Sequence, residues 1–226
     1  MINQKKLESG RSMIEMLGVL AIIGVLSVGG IAGYSKAMLK YKVNKTIDLI
    51  TQLTSNARIT FGNQRNYEGL TTPSVIEAYG ITPREMYVAD QDITSNTAQA
   101  DGITYQTPWG DNAFLKLAKK SDQDADDKRR AFTIEFRNIP ANACSELLLV
   151  DWGTAAGSGL IAMQVTTNAT ASVDMETADN FYDNDCTTVE ADGKFCIADG
   201  KGFPITPAEA VVACGSNTSN VKWKFY

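Results

Sequence analysis

The sequence predicts an α+β fold in which a long N-terminal helix packs on an antiparallel sheet. Three observations predict it: an uninterrupted apolar segment near the N-terminus, an amphipathic pattern that continues from it, and short alternating segments in the C-terminal half. The 226 residues, 44% of them apolar, suffice for one membrane segment and one globular domain. We expect a polar leader at 1–10, an apolar helix half at 11–33, an amphipathic helix half at 34–62 and a globular head at 63–226.

Residues 13–33 contain one charge, Glu15, and no proline. At a rise of about 1.5 Å per residue they span about 30 Å, the thickness of a membrane hydrocarbon core. The preceding cations Lys5, Lys6 and Arg11 favour a cytoplasmic N-terminus. An ordinary secretory signal would end in a small-residue cleavage site, whereas here the apolar segment runs into an amphipathic helix. A plain signal anchor leaves Glu15 unexplained, because a carboxylate in a membrane helix costs about 3 kcal/mol.

The helix continues beyond Gly33 with one apolar face. Apolar side chains recur at helical spacing, and Gly62-Asn63 provides an end signal. The sequence therefore predicts one continuous helix of about 45 to 50 residues. The residues expected to face the head are Val43, Ile47, Ile50, Ala57 and Phe61.

Local signals predict further elements in the head. Phe132, Ile134 and Phe136 alternate with polar residues as in a half-buried strand, which Asn138-Ile139-Pro140 is expected to break. Thr206-Pro207-Ala208-Glu209 has the residues of a capping box and predicts a helix leading to Cys214. The other expected elements are a short helix at 73–79, a helix at 141–149, strands at 159–166 and 221–226, and a polar region at 179–196 rich in turn residues.

Composition limits the possible functions. The net charge is −5 although the leader is basic, so the acidic head is unsuited to nucleic acid and no dedicated nucleic-acid site is expected. The absence of histidine excludes Ser–His–Asp and Cys–His catalysis and removes the commonest zinc ligand. Lysine- or carboxylate-based catalysis stays open, but no pattern indicates it.

The acidic run at 122–127 lacks the glycine and final glutamate of a calcium loop and predicts a solvated turn. We expect no enzyme, no cofactor and no metal.

The residues Gly10-Arg11-Ser12-Met13-Ile14-Glu15, followed by the apolar segment, resemble the prepilin-peptidase signature of type IV pilins. Three features of the C-terminal half resemble type IVb pilins, such as the bundle-forming pilins. They are the strand–Ile139-Pro140–helix unit with Cys144, the segment from Ile205 to Cys214, and the final strand.

The resemblance implies cleavage after Gly10 by a prepilin peptidase and methylation of the new amino group of Arg11. It implies that Glu15 meets the N-terminal amine of a neighbouring subunit. The partners would be the inner membrane before assembly, the pilus assembly platform, and other copies of this chain. The implied function is a structural subunit of a type IVb-like surface pilus for adhesion, aggregation or motility. A minor pilin, a secretion pseudopilin, and a membrane-anchored periplasmic enzyme or binding module stay open as alternatives.

Four cysteines behind an export signal favour disulfides, and they allow three connectivities. The resemblance implies a long-range Cys144–Cys214 bridge. Cys186 and Cys196 flank Asp192-Gly193, which could turn the chain back and close a small loop. We therefore expect Cys186–Cys196 as the second pair.

Overall fold

A computed structural model describes residues 8–64, 66–87, 103–118, 130–152, 159–166, 194–196 and 204–226, without the side chains of 8–12, 103–104 and 194–196. The predicted turn at 122–127, the predicted Asp192-Gly193 turn and Cys186 lie outside these residues. The chain divides into two compact units, Met1–Tyr41 and Lys42–Tyr226.

The N-terminal helix α1 extends over Glu8–Phe61, a length of 54 residues. This confirms the prediction of one long helix that ends directly before Gly62-Asn63. The helix is longer than the expected 45 to 50 residues because it already begins at Glu8, within the expected leader. Within the second unit its buried side chains fall on one face. Of the five predicted positions, four are buried and Ile47 is half-buried. The buried set is Val43, Thr46, Leu49, Ile50, Leu53, Thr54, Ala57 and Phe61.

Six strands of the described residues form one antiparallel sheet in the order β1-β2-β3-β6-β4-β5. The α+β prediction of a long helix over an antiparallel sheet is thus confirmed. The strands are β1 (Ile103–Gln106), β2 (Asn112–Ala118), β3 (Ala131–Pro140), β4 (Leu160–Thr166), β5 (Lys194–Cys196) and β6 (Thr218–Phe225).

The pairing of β3 with β6 builds the apolar core. Phe132 lies opposite Phe225, and Ile134 lies opposite Trp223, so these four side chains share one face of the sheet. The ring of Tyr67, which follows α1, contacts this face, with its centroid 4.8 Å from that of Phe132. The alternation in the sequence therefore identified the core face correctly. The prediction that this strand is half-buried is wrong, because its other face is covered as well: Thr133 and Glu135 are each 3% exposed.

The prediction that β3 breaks at Asn138-Ile139-Pro140 is wrong. The strand continues to Pro140, and its pairing with β6 shifts between Phe136 and Ile139. Asn138 adopts φ of 57°, a left-handed conformation that asparagine tolerates better than most residues. Its N–H donates to Asn220 Oδ1 at 3.2 Å. The residues that predicted a strand end form a β-bulge instead. The strand can continue because a side chain of the partner strand accepts the backbone N–H that leaves the regular pairing.

Strand β5 lies in the region that the sequence suggested was polar and rich in turns. It is three residues long and pairs with β4, where Met163 lies opposite Phe195. A strand this short carries too few residues to show a period of two. Its existence depends on the neighbouring strand rather than on its own pattern.

Three short α-helices, α2 (Pro73–Tyr79), α3 (Ala141–Leu148) and α4 (Pro207–Cys214), and one 3-10 helix at Arg84–Met86 complete the described fold. The predicted capping box of α4 is confirmed. Thr206 Oγ1 accepts from Glu209 N at 3.3 Å, and Glu209 Oε2 accepts from Thr206 N at 2.8 Å. Helices α3 and α4 pack against each other and contact β3, β4 and β6.

Candidate assembly and processing site

The processing residues suggested by the sequence lie at the start of α1. The backbone of Gly10 and Arg11 is helical, and the side chain of Glu15 is exposed. Its exposure leaves the carboxylate of Glu15 accessible to a group from outside the subunit. Cleavage after Gly10, methylation of Arg11 and pairing of Glu15 stay predictions.

The apolar half of α1 is exposed around its whole circumference. Every side chain from Met13 to Ala37 is exposed, so no face of this segment is buried by its own subunit. An amphipathic surface helix would show a polar face, whereas here one charge and two serines interrupt the apolar residues of 13–35. Such a segment needs a lipid or protein environment to cover it. The large exposed side chains before Gly33 are Met13, Ile14, Met16, Leu17, Val19, Leu20, Ile22, Ile23, Val25, Leu26, Val28 and Ile31.

Helix α1 is the one helix, among the residues that the structure describes, whose length and composition suffice to cross a membrane. A signal sequence near the N-terminus can satisfy the same criteria. The helix continues far past the apolar segment into the second unit, as expected for an anchor attached to a folded head.

The five glycines of the span serve no packing role within the subunit. A Cβ added at Gly18, Gly24, Gly29, Gly30 or Gly33 would meet no atom within 4 Å. The helix is continuous through all five positions. These observations are compatible with two interpretations: glycine is frequent in membrane helices in general, and it also allows a helix to bend or to approach another helix closely.

The second half of α1 is held by contacts that sequence reasoning did not identify. Trp109, in the turn between β1 and β2, donates from Nε1 to Thr46 Oγ1 at 3.0 Å. Lys42 Nζ lies 5.6 Å from the centroid of the same ring, and Lys45 forms an ion pair with Glu85. In the sequence, Pro108-Trp109-Gly110 by itself predicts only a turn. Its aromatic residue was the available signal for a helix contact.

Two further side chains of α1 bind distant backbone. Asn56 Nδ2 donates to the carbonyl oxygens of Gly80 and Ile81, each at 3.2 Å. Arg58 Nη2 donates to the carbonyl oxygen of Tyr226 at 2.9 Å. These contacts join the amphipathic half of α1 to the end of α2 and to the end of β6.

Cys144 and Cys214 form a disulfide that links α3 to α4, with their Cα atoms 5.9 Å apart. Both residues are buried. The long-range bridge implied by the type IVb resemblance is present. The Cys186–Cys196 pair stays a prediction, because neither side chain belongs to the described residues.

Three charged side chains of the head, Glu135, Arg137 and Lys222, form an ion cluster. Glu135 accepts from Arg137 Nε at 2.8 Å through one carboxylate oxygen, and Lys222 Nζ lies 3.5 Å from the other. The Arg137 guanidinium stacks on Phe114, 4.1 Å from the ring centroid. Glu135 is 3% exposed and Lys222 is 4% exposed. Because both carboxylate oxygens face cations and the carboxylate is shielded from solvent, the charge of Glu135 is compensated within the sheet and the cluster offers no open site for a substrate.

The head and part of α1 match a known protein family. The family model described as Bundlin matches residues 36–225. The chain belongs to the bundlin family. It is therefore a pilin, a structural pilus subunit rather than an enzyme, and the alternative of an anchored enzyme is set aside.

Comparison with solved structures gives a further likeness. The bundlin-family chain is similar to a type IV b pilin from Salmonella typhi, known from a crystal structure, with 15% sequence identity and a TM-score of 0.40. The match covers 76% of this chain and 96% of the Salmonella chain. A search of curated proteins found no match.

Proposed function

We propose that this chain is the repeating subunit of a type IVb pilus. A prepilin peptidase cuts it after Gly10, and residues 11–33 hold it in the inner membrane. An assembly platform then polymerises it into a surface filament that serves adhesion, aggregation or motility. Family membership supports the pilin part of this proposal.

The observation that carries the proposal is the apolar half of α1, which is exposed on every side. Covering a Leu, Ile or Val side chain is worth about 1.5–3 kcal/mol. Twelve large apolar side chains therefore give a strong driving force first for membrane insertion and then for packing among copies in a filament core. These side chains are exposed in the single subunit, so the free energy of covering them is available for insertion and assembly.

Glu15 determines the axial offset at which the helices of neighbouring subunits pack. A carboxylate in an apolar environment is costly, and a neighbour's N-terminal amine that arrives beside it removes most of that cost. A neighbour displaced along the helix leaves both charges unpaired. The acid would therefore select one axial offset between subunits.

The first experiment determines the N-terminus of the subunit in filaments sheared from the cell surface. Intact mass and N-terminal sequencing should show a chain that begins at Arg11 and is one methyl group heavier than the unmodified polypeptide. Gly10→Val should leave uncut precursor in the inner membrane, whereas the neighbouring control Ser9→Ala should be processed normally. A mature start within residues 25–40 would indicate an ordinary signal peptide and contradict the proposal.

The second experiment tests Glu15. Glu15→Ala should insert into the membrane as well as the parent, because the substitution removes an insertion cost, but filament yield should fall at least tenfold. Ser27→Ala, a polar residue of the same exposed span, is the matched control and should assemble normally. Normal filament yield from Glu15→Ala cells would show that the carboxylate has no part in register.

A further inference from the structure

We propose that a prepilin peptidase has to unwind the first turn of α1 before it can cut the chain, and that Gly10 and Ser12 make this turn easy to unwind. The inference rests on the proposed function, since it assumes cleavage after Gly10. It gives Ser12 a role in processing, and it makes the role of Gly10 conformational.

The bond to be cut lies inside a helix, because α1 begins at Glu8 and runs through Gly10 and Arg11. In the hydrolysis this bond breaks, the hydroxyl of a water molecule bonds to the Gly10 carbonyl carbon, and the remaining proton of the water goes to the Arg11 nitrogen. Negative charge develops on the Gly10 carbonyl oxygen, and an enzyme stabilises that charge with its own hydrogen-bond donors. In an α-helix this oxygen accepts from the N–H four residues on, which belongs to Ile14, and the surrounding turn encloses the carbonyl carbon. The carbonyl therefore has to leave the helix before the peptidase can act on it.

The first turn is the part of α1 that unwinds at the lowest cost. The N–H groups of the first four helical residues, Glu8 to Arg11, have no acceptor within the helix. Opening the backbone of residues 8–11 therefore breaks only the hydrogen bonds accepted by the carbonyls of residues 8, 9 and 10. From Met13 onward the helix lies in the bilayer under the proposed function, where unpaired backbone groups are far more costly. Unwinding is thus confined to the turn that contains the bond.

The residues of this turn form helices weakly. Glycine is the weakest helix former apart from proline, and the serines at positions 9 and 12 have only intermediate propensity. Four of the next five residues are methionine, glutamate, methionine and leucine, which are among the strong helix formers. The change from weak to strong helix formers falls two residues beyond the bond, which favours opening of the turn without loss of the helix that follows.

The competing explanation for Gly10 is space, namely a peptidase subsite that admits only the smallest residue. This explanation makes Gly10 essential, but it gives the cleavage rate no dependence on the stability of the helix. Changes at Ser12 separate the two explanations, because they alter the stability of the turn and leave Gly10 and Arg11 in place.

The first experiment measures initial cleavage rates of the full chain in phospholipid vesicles with purified prepilin peptidase. Ser12→Gly and Ser12→Ala both remove the hydroxyl group, but they change helix propensity in opposite directions. We expect Ser12→Gly to be cut about twofold faster than the parent, and Ser12→Ala about twofold slower. Ser27→Gly and Ser27→Ala are the matched controls outside the turn and should be cut at the parent rate. Initial rates are needed, because a twofold change would be hidden at steady state in cells.

The second experiment locks the turn with a cross-linker. Glu8→Cys and Ser12→Cys are combined in a chain that also carries Cys186→Ser and Cys196→Ser, and the two remaining cysteines are joined in a buried disulfide. A cross-linker of about 6 Å holds positions 8 and 12 at their helical separation, whereas one of about 13 Å also permits an extended chain. We expect the short cross-linker to slow cleavage at least tenfold relative to the long one.

Two results would overturn the inference. The first is a pair of Ser12 variants whose rates change in the same direction or do not change, and the second is an equal rate with the two cross-linkers. Either result, in a parent chain that is still cut after Gly10, would favour the explanation based on space and leave the proposed function intact. A parent chain that the peptidase does not cut would contradict the proposed function itself.

Discussion

Arg58 on α1 and Tyr226 after β6 are joined by a 2.9 Å hydrogen bond from the guanidinium to the backbone carbonyl. Gly159 lies directly against this bond, and its own carbonyl accepts from Tyr226 N at 2.8 Å. Gly159 has φ of 68°, and a Cβ there would overlap the Arg58 guanidinium and lie 2.6 Å from the Tyr226 oxygen. The position therefore requires glycine both for its backbone conformation and for the space that Arg58 occupies.

We predict that Gly159→Ala lowers the free energy of unfolding by about 2–4 kcal/mol, because left-handed strain and steric overlap add. Gly80→Ala is the matched control: Gly80 has φ of 58° and open space around its Cβ, so it should show the strain alone, about 1–2 kcal/mol. Urea denaturation of the full chain in detergent measures both. In the Arg58→Ala background the cost of Gly159→Ala should shrink. Equal costs for the two glycines would contradict the steric account.

A second prediction compares two buried threonines of α1. Thr46 Oγ1 accepts from Trp109 and donates to the Lys42 carbonyl, so Thr46→Val should cost about 1–2 kcal/mol. Thr54 Oγ1 is buried without a hydrogen-bond partner in the described part of the chain, so Thr54→Val should be neutral or stabilise by up to about 1 kcal/mol. The same denaturation measurement checks the pair. A Thr54→Val variant less stable than Thr46→Val would refute the assignment of the Trp109 contact.

The third prediction concerns the disulfides. The Cys144–Cys214 bridge joins residues 70 positions apart, for which chain entropy gives about 4 kcal/mol of stabilisation. Cys214→Ser should therefore lower steady-state subunit levels, as measured by immunoblot, whereas Cys186→Ser should leave a foldable head. Peptide mapping under non-reducing conditions tests the second pair. A linked Cys186–Cys196 fragment is expected, and one that joins Cys144 to Cys186 would contradict both assignments.

The fourth prediction is a loss of stability at alkaline pH. Burial raises the pKa of the Tyr105 hydroxyl above its usual value near 10, and that hydroxyl accepts from Thr82 Oγ1 at 3.0 Å. Because the folded pKa exceeds the unfolded pKa, the contribution is fully present below about pH 10 and is lost as pH rises toward the folded pKa. Tyr105→Phe should flatten the pH dependence of the unfolding free energy above pH 10. An unchanged dependence would show that other groups cause it.

Elements with local signals could be predicted from the sequence. Helix α4 was predicted because Thr206 and Glu209 cap its first turn and Pro207 begins it, so three residues close in sequence contain the whole signal. The apolar span was predicted because its length and composition require no knowledge of its neighbours. The Gly10–Glu15 signature is likewise contained in a few neighbouring residues, and its role stays a prediction.

Features that depend on pairing could not be predicted in this way. The bulge at Asn138 exists because Asn220, 82 positions away, receives its N–H. The ion cluster depends on strand register, which places Glu135 opposite Lys222. Burial on both faces of β6 also depends on its neighbours, since Lys222 and Lys224 are buried although their side chains are charged. The contact between Trp109 and Thr46 likewise joins residues whose separation of 63 positions hides it from any short pattern.

The central place of β6 affects the order in which the head can fold. β6 lies between β3 and β4, although it is the last of the described strands to be synthesised. The sheet cannot close until Thr218–Phe225 has been synthesised, so the head cannot fold progressively from its N-terminal side. Under the proposed function, the N-terminal span would enter the bilayer before this strand is available, and a chaperone that acts at that stage would meet an anchored but unfolded subunit.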